Sequence, residues 1–198
     1  MENDSELAQY FEGAYQGHKR SGVFSIFPSL DGWPRGFVKG MDKVNATSAE
    51  AWIGFVDEAR LEAAVLYPTA GLAFGLIQDP DWACVVARAY NNWLADRYCK
   101  ADSRLKGVAM LPVHNPREAA AELRHAVLEQ NMVAGMLPAV TMLNKGYGHP
   151  DFHPIYEEAQ KLNVPLAVHG AVSRGLGFDF LQTMSMIHTL EHPMAQMI

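Results

Sequence analysis

Only two cysteines occur in 198 residues, no apolar run approaches a bilayer's width, and no face gathers basic residues. Two cysteines cannot frame a disulfide-rich fold. Cys84 and Cys99 also fall on what reads as a single helix, about 22 Å apart along its axis and far beyond bridging distance. They are expected to be free thiols in a reducing compartment, which makes the expected location cytoplasmic. The opening residues, Met1-Glu2-Asn3-Asp4-Ser5-Glu6, are acidic where a secretory leader is basic and then apolar. Without a span of roughly 20 apolar residues, a helical membrane crossing is not expected. Lys and Arg total 16 against 22 Asp and Glu, a net charge of -6, so neither nucleic acid nor a membrane surface is an expected partner. No Gly-x-Gly-x-x-Gly follows a strand and no Gly-x-x-x-x-Gly-Lys occurs, which removes the common nucleotide-binding devices.

What is present is a rhythm. Hydrophobic residues make up 49% of the chain, enough for one globular domain over 1–198. Residues 1–47 form a loop-rich N-terminal segment in which a short helix over Leu7–Phe11 is expected before a run of spaced glycines. Tyr15, Phe24, Phe27, Trp33 and Phe37 argue that this segment packs, because aromatic rings lose much by staying in water. From Thr47 the elements alternate. Thr47-Ser48-Ala49-Glu50 reads as a capping box opening a helix, and Ala63–Tyr67 as a buried strand closed by Pro68. Asp79-Pro80 caps a helix to about Cys99, and Leu105–Val113 is a second strand. Asn115-Pro116-Arg117-Glu118 opens a helix to about Gln130, and Met132–Val140 is a third strand. Pro154 opens a helix to about Leu162, and Val164–Val168 is a fourth strand. Near-continuous apolar strands separated by helices predict an α/β fold with a parallel sheet. Either an open doubly wound sheet or a (β/α) TIM barrel satisfies that pattern, and the barrel is preferred because the open sheet's nucleotide motifs are missing.

In both folds the chemistry stands at the carboxyl ends of the strands. Those ends are Tyr67-Pro68-Thr69, Pro112-Val113-His114, Pro138-Ala139-Val140 and Val168-His169-Gly170. The last carries an imidazole at the tip of an apolar strand. A neutral imidazole there suits zinc or another first-row divalent ion, and it equally suits a hydrogen-bonded core residue. His18, His114, His125, His149 and His153 read as surface or loop residues, with His149 the one nearest a substrate. The ten methionines read as core filling.

Five segments in order carry a resemblance: Ala89-Tyr90-Asn91-Asn92-Trp93-Leu94, Arg104-Leu105-Lys106-Gly107-Val108-Ala109, Ala120–Leu123, Gly148-His149-Pro150-Asp151-Phe152-His153-Pro154-Ile155-Tyr156, and Val164-Pro165-Leu166-Ala167-Val168-His169-Gly170. Together they resemble the amidohydrolase-related family of metal-dependent barrels, which includes aminocarboxymuconate-semialdehyde decarboxylase, from about Ala49 onward. The resemblance implies a divalent metal, zinc by expectation, with His169 as the ligand that ends strand five. It implies a small-molecule substrate and either hydrolysis or non-oxidative decarboxylation of a small aromatic or enolic acid; Tyr67, His149 and His188 are the residues expected to line that substrate. His188 and His192 share a helix face, but no Glu after the first completes a zincin pattern. For His188, the lining of the barrel mouth and a simple helix-end position both stay open.

The resemblance also implies that these residues hold strands two to five of eight. The strand-one ligand pair and the strand-eight Asp are then expected elsewhere. Unpaired sheet edges would make the chain a homo-oligomer, and one histidine alone would hold zinc weakly. The competing expectation is a catalytically inactive fragment or interaction subunit that keeps the barrel scaffold.

Overall fold

A computed structural model describes residues 4–17, 48–139, 141, 143 and 145–169. Local chemistry sets its helix starts. The Ser48 hydroxyl accepts from the Ala51 amide at 3.3 Å and opens α2 (Ala49–Glu58), so the cap is Ser48 rather than Thr47. Asp79 accepts from the amides of Asp81 (3.0 Å) and Trp82 (3.2 Å), and with Pro80 at the first position it opens α3 (Pro80–Leu94). One π turn, Ala95–Cys99, prolongs α3. Asn115 caps α4 (Pro116–Gln130), and α5 spans His153–Leu162. Both α4 and α5 stop at an asparagine in the left-handed region, Asn131 (φ 57) and Asn163 (φ 53). Asparagine tolerates that conformation better than most side chains.

Four strands, β1 (Ala64–Leu66), β2 (Leu105–Met110), β3 (Ala134–Pro138) and β4 (Leu166–His169), lie in that order, and every neighbouring pair is parallel. Each is a little shorter than its apolar stretch. The parallel β-α-β repeat stands as expected, and it forms a partial α/β barrel.

The two faces of the sheet can be told apart by what a side chain would meet. A Cβ on Gly107 would lie 2.9 Å from the Cys99 sulfur, and one on Gly135 would lie 3.1 Å from Leu123 of α4. Both glycines therefore face the helices. Side chains alternate along a strand, so the ladders carry this assignment outward. Gly135 pairs with Leu166, and Pro138 pairs with His169, which places Pro138 and His169 together on the opposite face. Met110 and Met136, paired with each other, share that face. Helix-side packing is dense: Trp93, Leu94, Leu111 and Leu123 are almost wholly buried.

The N-terminal residues strap the outside of α3. The expected Leu7–Phe11 helix is α1 (Asp4–Leu7) followed by the 3-10 turn Ala8–Tyr10. Leu7 and Phe11 are buried, Phe11 meets Trp82 edge-on at 5.1 Å, and the Trp93 indole donates to the Glu6 carboxylate at 2.9 Å.

Candidate functional site

The carboxyl edge of the sheet is a concave mouth, and two residues show its curvature. Tyr67 stands one residue beyond β1, and His169 ends β4. In a flat sheet three strand spacings of about 4.8 Å would hold the two outer strands roughly 14 Å apart, with side chains rising side by side. The rings instead meet, centroids 5.1 Å apart and planes at 53°. Only a sheet curled toward its His169 face brings them together. Along β3, the Ala139 amide donates to the His169 carbonyl at 3.0 Å, so the backbone beneath the imidazole is held by the ladder to its end.

The loop after β3 is braced from below. The buried Tyr147 hydroxyl donates to the Pro138 carbonyl, and the Tyr156 hydroxyl donates to the Tyr147 carbonyl. Tyr147 also meets Phe152 edge-on at 5.0 Å. Burial pushes the Tyr147 phenol well above its ordinary pKa, which keeps it a neutral donor.

His149 stands apart from this pair. It is exposed and caps the short 3-10 turn Pro150–Phe152, its Nδ1 accepting from the Asp151 amide at 3.2 Å. Asp151 is ion-paired with Lys145 beside it. His188 and His192 lie outside the described residues, as do His18 and most of the 1–47 segment. Of the expected site residues, then, Tyr67 and His169 are together and His149 is on the rim turn.

Two features escaped sequence reasoning. His114 read as a surface or loop residue. It does sit in the loop after β2, but both its ring nitrogens are buried without a hydrogen-bond partner, and Phe74 stands edge-on to it at 5.4 Å. Burial lowers its pKa, while backbone at Ile77 and Gly75 pulls weakly the other way without forming bonds of good geometry. The Pro112-Val113-His114 ending resembled the His169 ending and was the available signal. The second feature is Asn91, fully buried inside α3. Its amide nitrogen donates to the Met110 carbonyl (3.0 Å) and to Glu122 (2.7 Å), and its oxygen accepts from the Met110 amide at 2.8 Å. Arg88 completes the junction by pairing with the buried Glu122 carboxylate. A buried asparagine inside a helix was a signal, but nothing local named its partner.

A shallow cleft of about 190 Å³ opens beside this junction, with Cys84 and Glu118 in its wall. Burial and the neighbouring carboxylates of Glu118, Asp81 and Glu122 push the Cys84 thiol up to about 11.

A divalent ion needs three or four donors for ordinary affinity. Among the described residues no three His, Cys, Asp or Glu side chains converge to hold one. His169 is a single imidazole donor at the mouth, so the described residues do not make a complete metal site.

Comparison with known proteins gives this geometry a lineage. Residues 33–194 match the model of the Amidohydrolase family. Gamma-resorcylate decarboxylase of Polaromonas sp. is 30% identical over 122 residues, which are 59% of this chain and 37% of that protein. The Rhodococcus jostii enzyme of the same name is also 30% identical over 122 residues, covering 58% and 37%. The matched region thus spans little more than a third of those relatives. Among solved structures, a dihydroxybenzoic acid decarboxylase from Polaromonas sp., with bound manganese and the inhibitor 2-nitroresorcinol, superposes with a TM-score of 0.65 at 24% identity, covering 82% of this chain and 54% of that one. A 2,6-dihydroxybenzoate decarboxylase from Rhizobium gives 0.61 at 24% identity over 74% and 49%. These likenesses agree with the curled parallel sheet described above. Since the family model covers well over half of its residues, the chain belongs to the amidohydrolase family.

Proposed function

We propose that the chain forms part of a divalent-metal-dependent enzyme that removes carbon dioxide, without oxidation, from a small hydroxylated aromatic acid. The observation that carries this reading is the 30% identity over 122 residues to decarboxylases of gamma-resorcylate. The meeting of His169 and Tyr67 at the mouth supports it. In this reading His169 is one metal ligand, and Tyr67 lines the substrate side. His149 and His188 are the further substrate-side candidates. Zinc is the sequence expectation, and manganese is bound in the similar Polaromonas structure. Among the described residues the donors do not complete a site for the ion.

Self-association belongs to the same proposal. Among the described residues β1 and β4 each pair on one side only, and edges of that kind attract further strands.

The test incubates the concentrated protein with 2,6-dihydroxybenzoate and either manganese or zinc. Resorcinol and carbon dioxide are measured, and light scattering after size exclusion reports the assembly. Slow, metal-dependent release that disappears in His169→Ala is the expected result. Equal release with and without metal, or with and without His169, would refute the reading.

A further inference from the structure

The segment after β1 lies across the sheet end rather than beside its own strand. It runs as 3-10 helix from Ala70 to Leu76 and packs against β3, although β2 stands between β1 and β3. To reach β3 it must cross above the end of β2. The loop leaving that end carries His114. Phe74, 1% exposed, is the residue of the crossing segment that meets the His114 ring, at 5.4 Å and nearly perpendicular (88°).

A buried polar group without a partner usually has a function or a hidden satisfier. Here both ring nitrogens lack one. The neutral imidazole tolerates this as a flat, largely apolar ring against a phenyl edge. A protonated imidazole in the same place would be a buried charge with no counter-ion, which is far costlier than the unsatisfied neutral ring. The groups around it offset only part of that cost, because backbone at Ile77 and Gly75 favours the charged ring by less than burial disfavours it. The crossing segment presents Phe74, and the backbone of Gly75 and Ile77, and its own loop runs Pro112-Val113-His114-Asn115-Pro116. No carboxylate or cation of the described residues acts on the ring.

We propose that His114 and Phe74 form a proton-operated latch: the neutral ring holds the crossing segment down over the mouth, and protonation releases it. The sign follows from the geometry. A free histidine protonates near pH 6.5. Release lets the ring regain water and its ordinary basicity, so the proton favours the open state. The latch is therefore closed above about pH 6.5 and loosens progressively below it. The loop beyond Tyr67 would thereby expose the mouth in mild acid.

The experiment is hydrogen exchange read by mass spectrometry between pH 7.5 and 5.0, with each rate corrected for the intrinsic pH dependence of amide chemistry. The reporting amides are Leu72 and Ile77, which donate to the Thr69 and Phe74 carbonyls at 3.3 and 3.1 Å. A peptide from β2 serves as the control for global opening. In the wild type, exchange over 69–77 should rise at least tenfold toward pH 5.0 while β2 stays protected. His114→Phe keeps an edge-on aromatic pair but cannot titrate, and it should exchange slowly at every pH. Phe74→Ala should exchange quickly at every pH. A wild-type segment whose corrected exchange does not change with pH would overturn the latch, and so would a His114→Phe protein that opens in acid like the wild type. Should His114→Phe fail to fold, the His114 ring is followed by NMR in the wild type, where protonation without faster exchange of Leu72 and Ile77 gives the same negative answer.

Discussion

Replacing the fully buried Asn91 with leucine removes three hydrogen bonds. Leucine keeps the branched skeleton of asparagine but is bulkier, so the loss of polar partners is joined by some overpacking. The Met110 amide and carbonyl would both be left without the Asn91 partner, and Glu122 would retain Arg88 but lose its second donor. Each buried orphan costs about 1–3 kcal/mol, so the two Met110 groups together come to about 2–6 kcal/mol, a large share of a typical domain's 5–15 kcal/mol. With a urea slope of about 2 kcal/mol per molar, the midpoint should fall by about 1–3 M with the slope unchanged. Circular dichroism and tryptophan fluorescence must give coincident curves for that conversion to hold. Adding Glu122→Leu should then cost much less than it does alone, because the Glu122 carboxylate has already lost one of its two donors. A midpoint shift below about 0.5 M for Asn91→Leu, or strict additivity in the double variant, would refute the claim that the junction acts as one unit.

Gly135→Ala should destabilise by about 1–3 kcal/mol in the same assay, because its Cβ would come within 2.7 Å of Leu111 and 2.9 Å of Leu166 in a filled core. Gly54→Ala in α2 meets nothing within 4 Å and should instead stabilise by about 0.5–1 kcal/mol. Ser48→Ala should cost about 1 kcal/mol by loss of the α2 cap, with helix signal lost first in that region. Cys84 should react with an aromatic disulfide reagent at pH 8 about a hundredfold more slowly than an ordinary thiol, because a rise from 9.0 to about 11 leaves correspondingly less thiolate. Rapid labelling of Cys84 at pH 8 would contradict its assigned surroundings.

What could be read from the sequence was what neighbours in the chain decide. Asp79-Pro80 and Asn115-Pro116 announce α3 and α4 because a cap and a first-turn proline act within four residues, and both starts agree with the structure. The α2 start shifted by one because Thr47 and Ser48 can both cap, and only the geometry of the turn chooses. Parallel strands were legible because the apolar runs are unbroken, even though Val65 of β1 is exposed and β4 is only half-buried. His114 lies in a loop as read, but the burial of its ring nitrogens was not legible because Phe74 stands forty residues away on a segment leaving a different strand. Nothing in Ala70–Leu76, with Gly71 and Gly75 breaking its pattern, announces a 3-10 helix that crosses the sheet end. Asn91 belonged to a recognised stretch, yet its purpose depends on the Met110 peptide and on Glu122, which only packing supplies.

The contact between Tyr67 and His169 turns the mouth into a gauge of the whole assembly. Three ladders stand between the two residues, and all must be in phase for the rings to meet. A slip of one place in any of them displaces His169 by about 3.3 Å and turns it from the cavity toward the helices. The pair is also distant along the chain, so it closes late, after the more local β-α-β units have paid their own ordering entropy. A molecule with one strand astray can still bury leucines and tyrosines and pass as folded by its core. It cannot bring that imidazole against Tyr67, so the meeting of the two rings reports a register that burial of the core alone would miss.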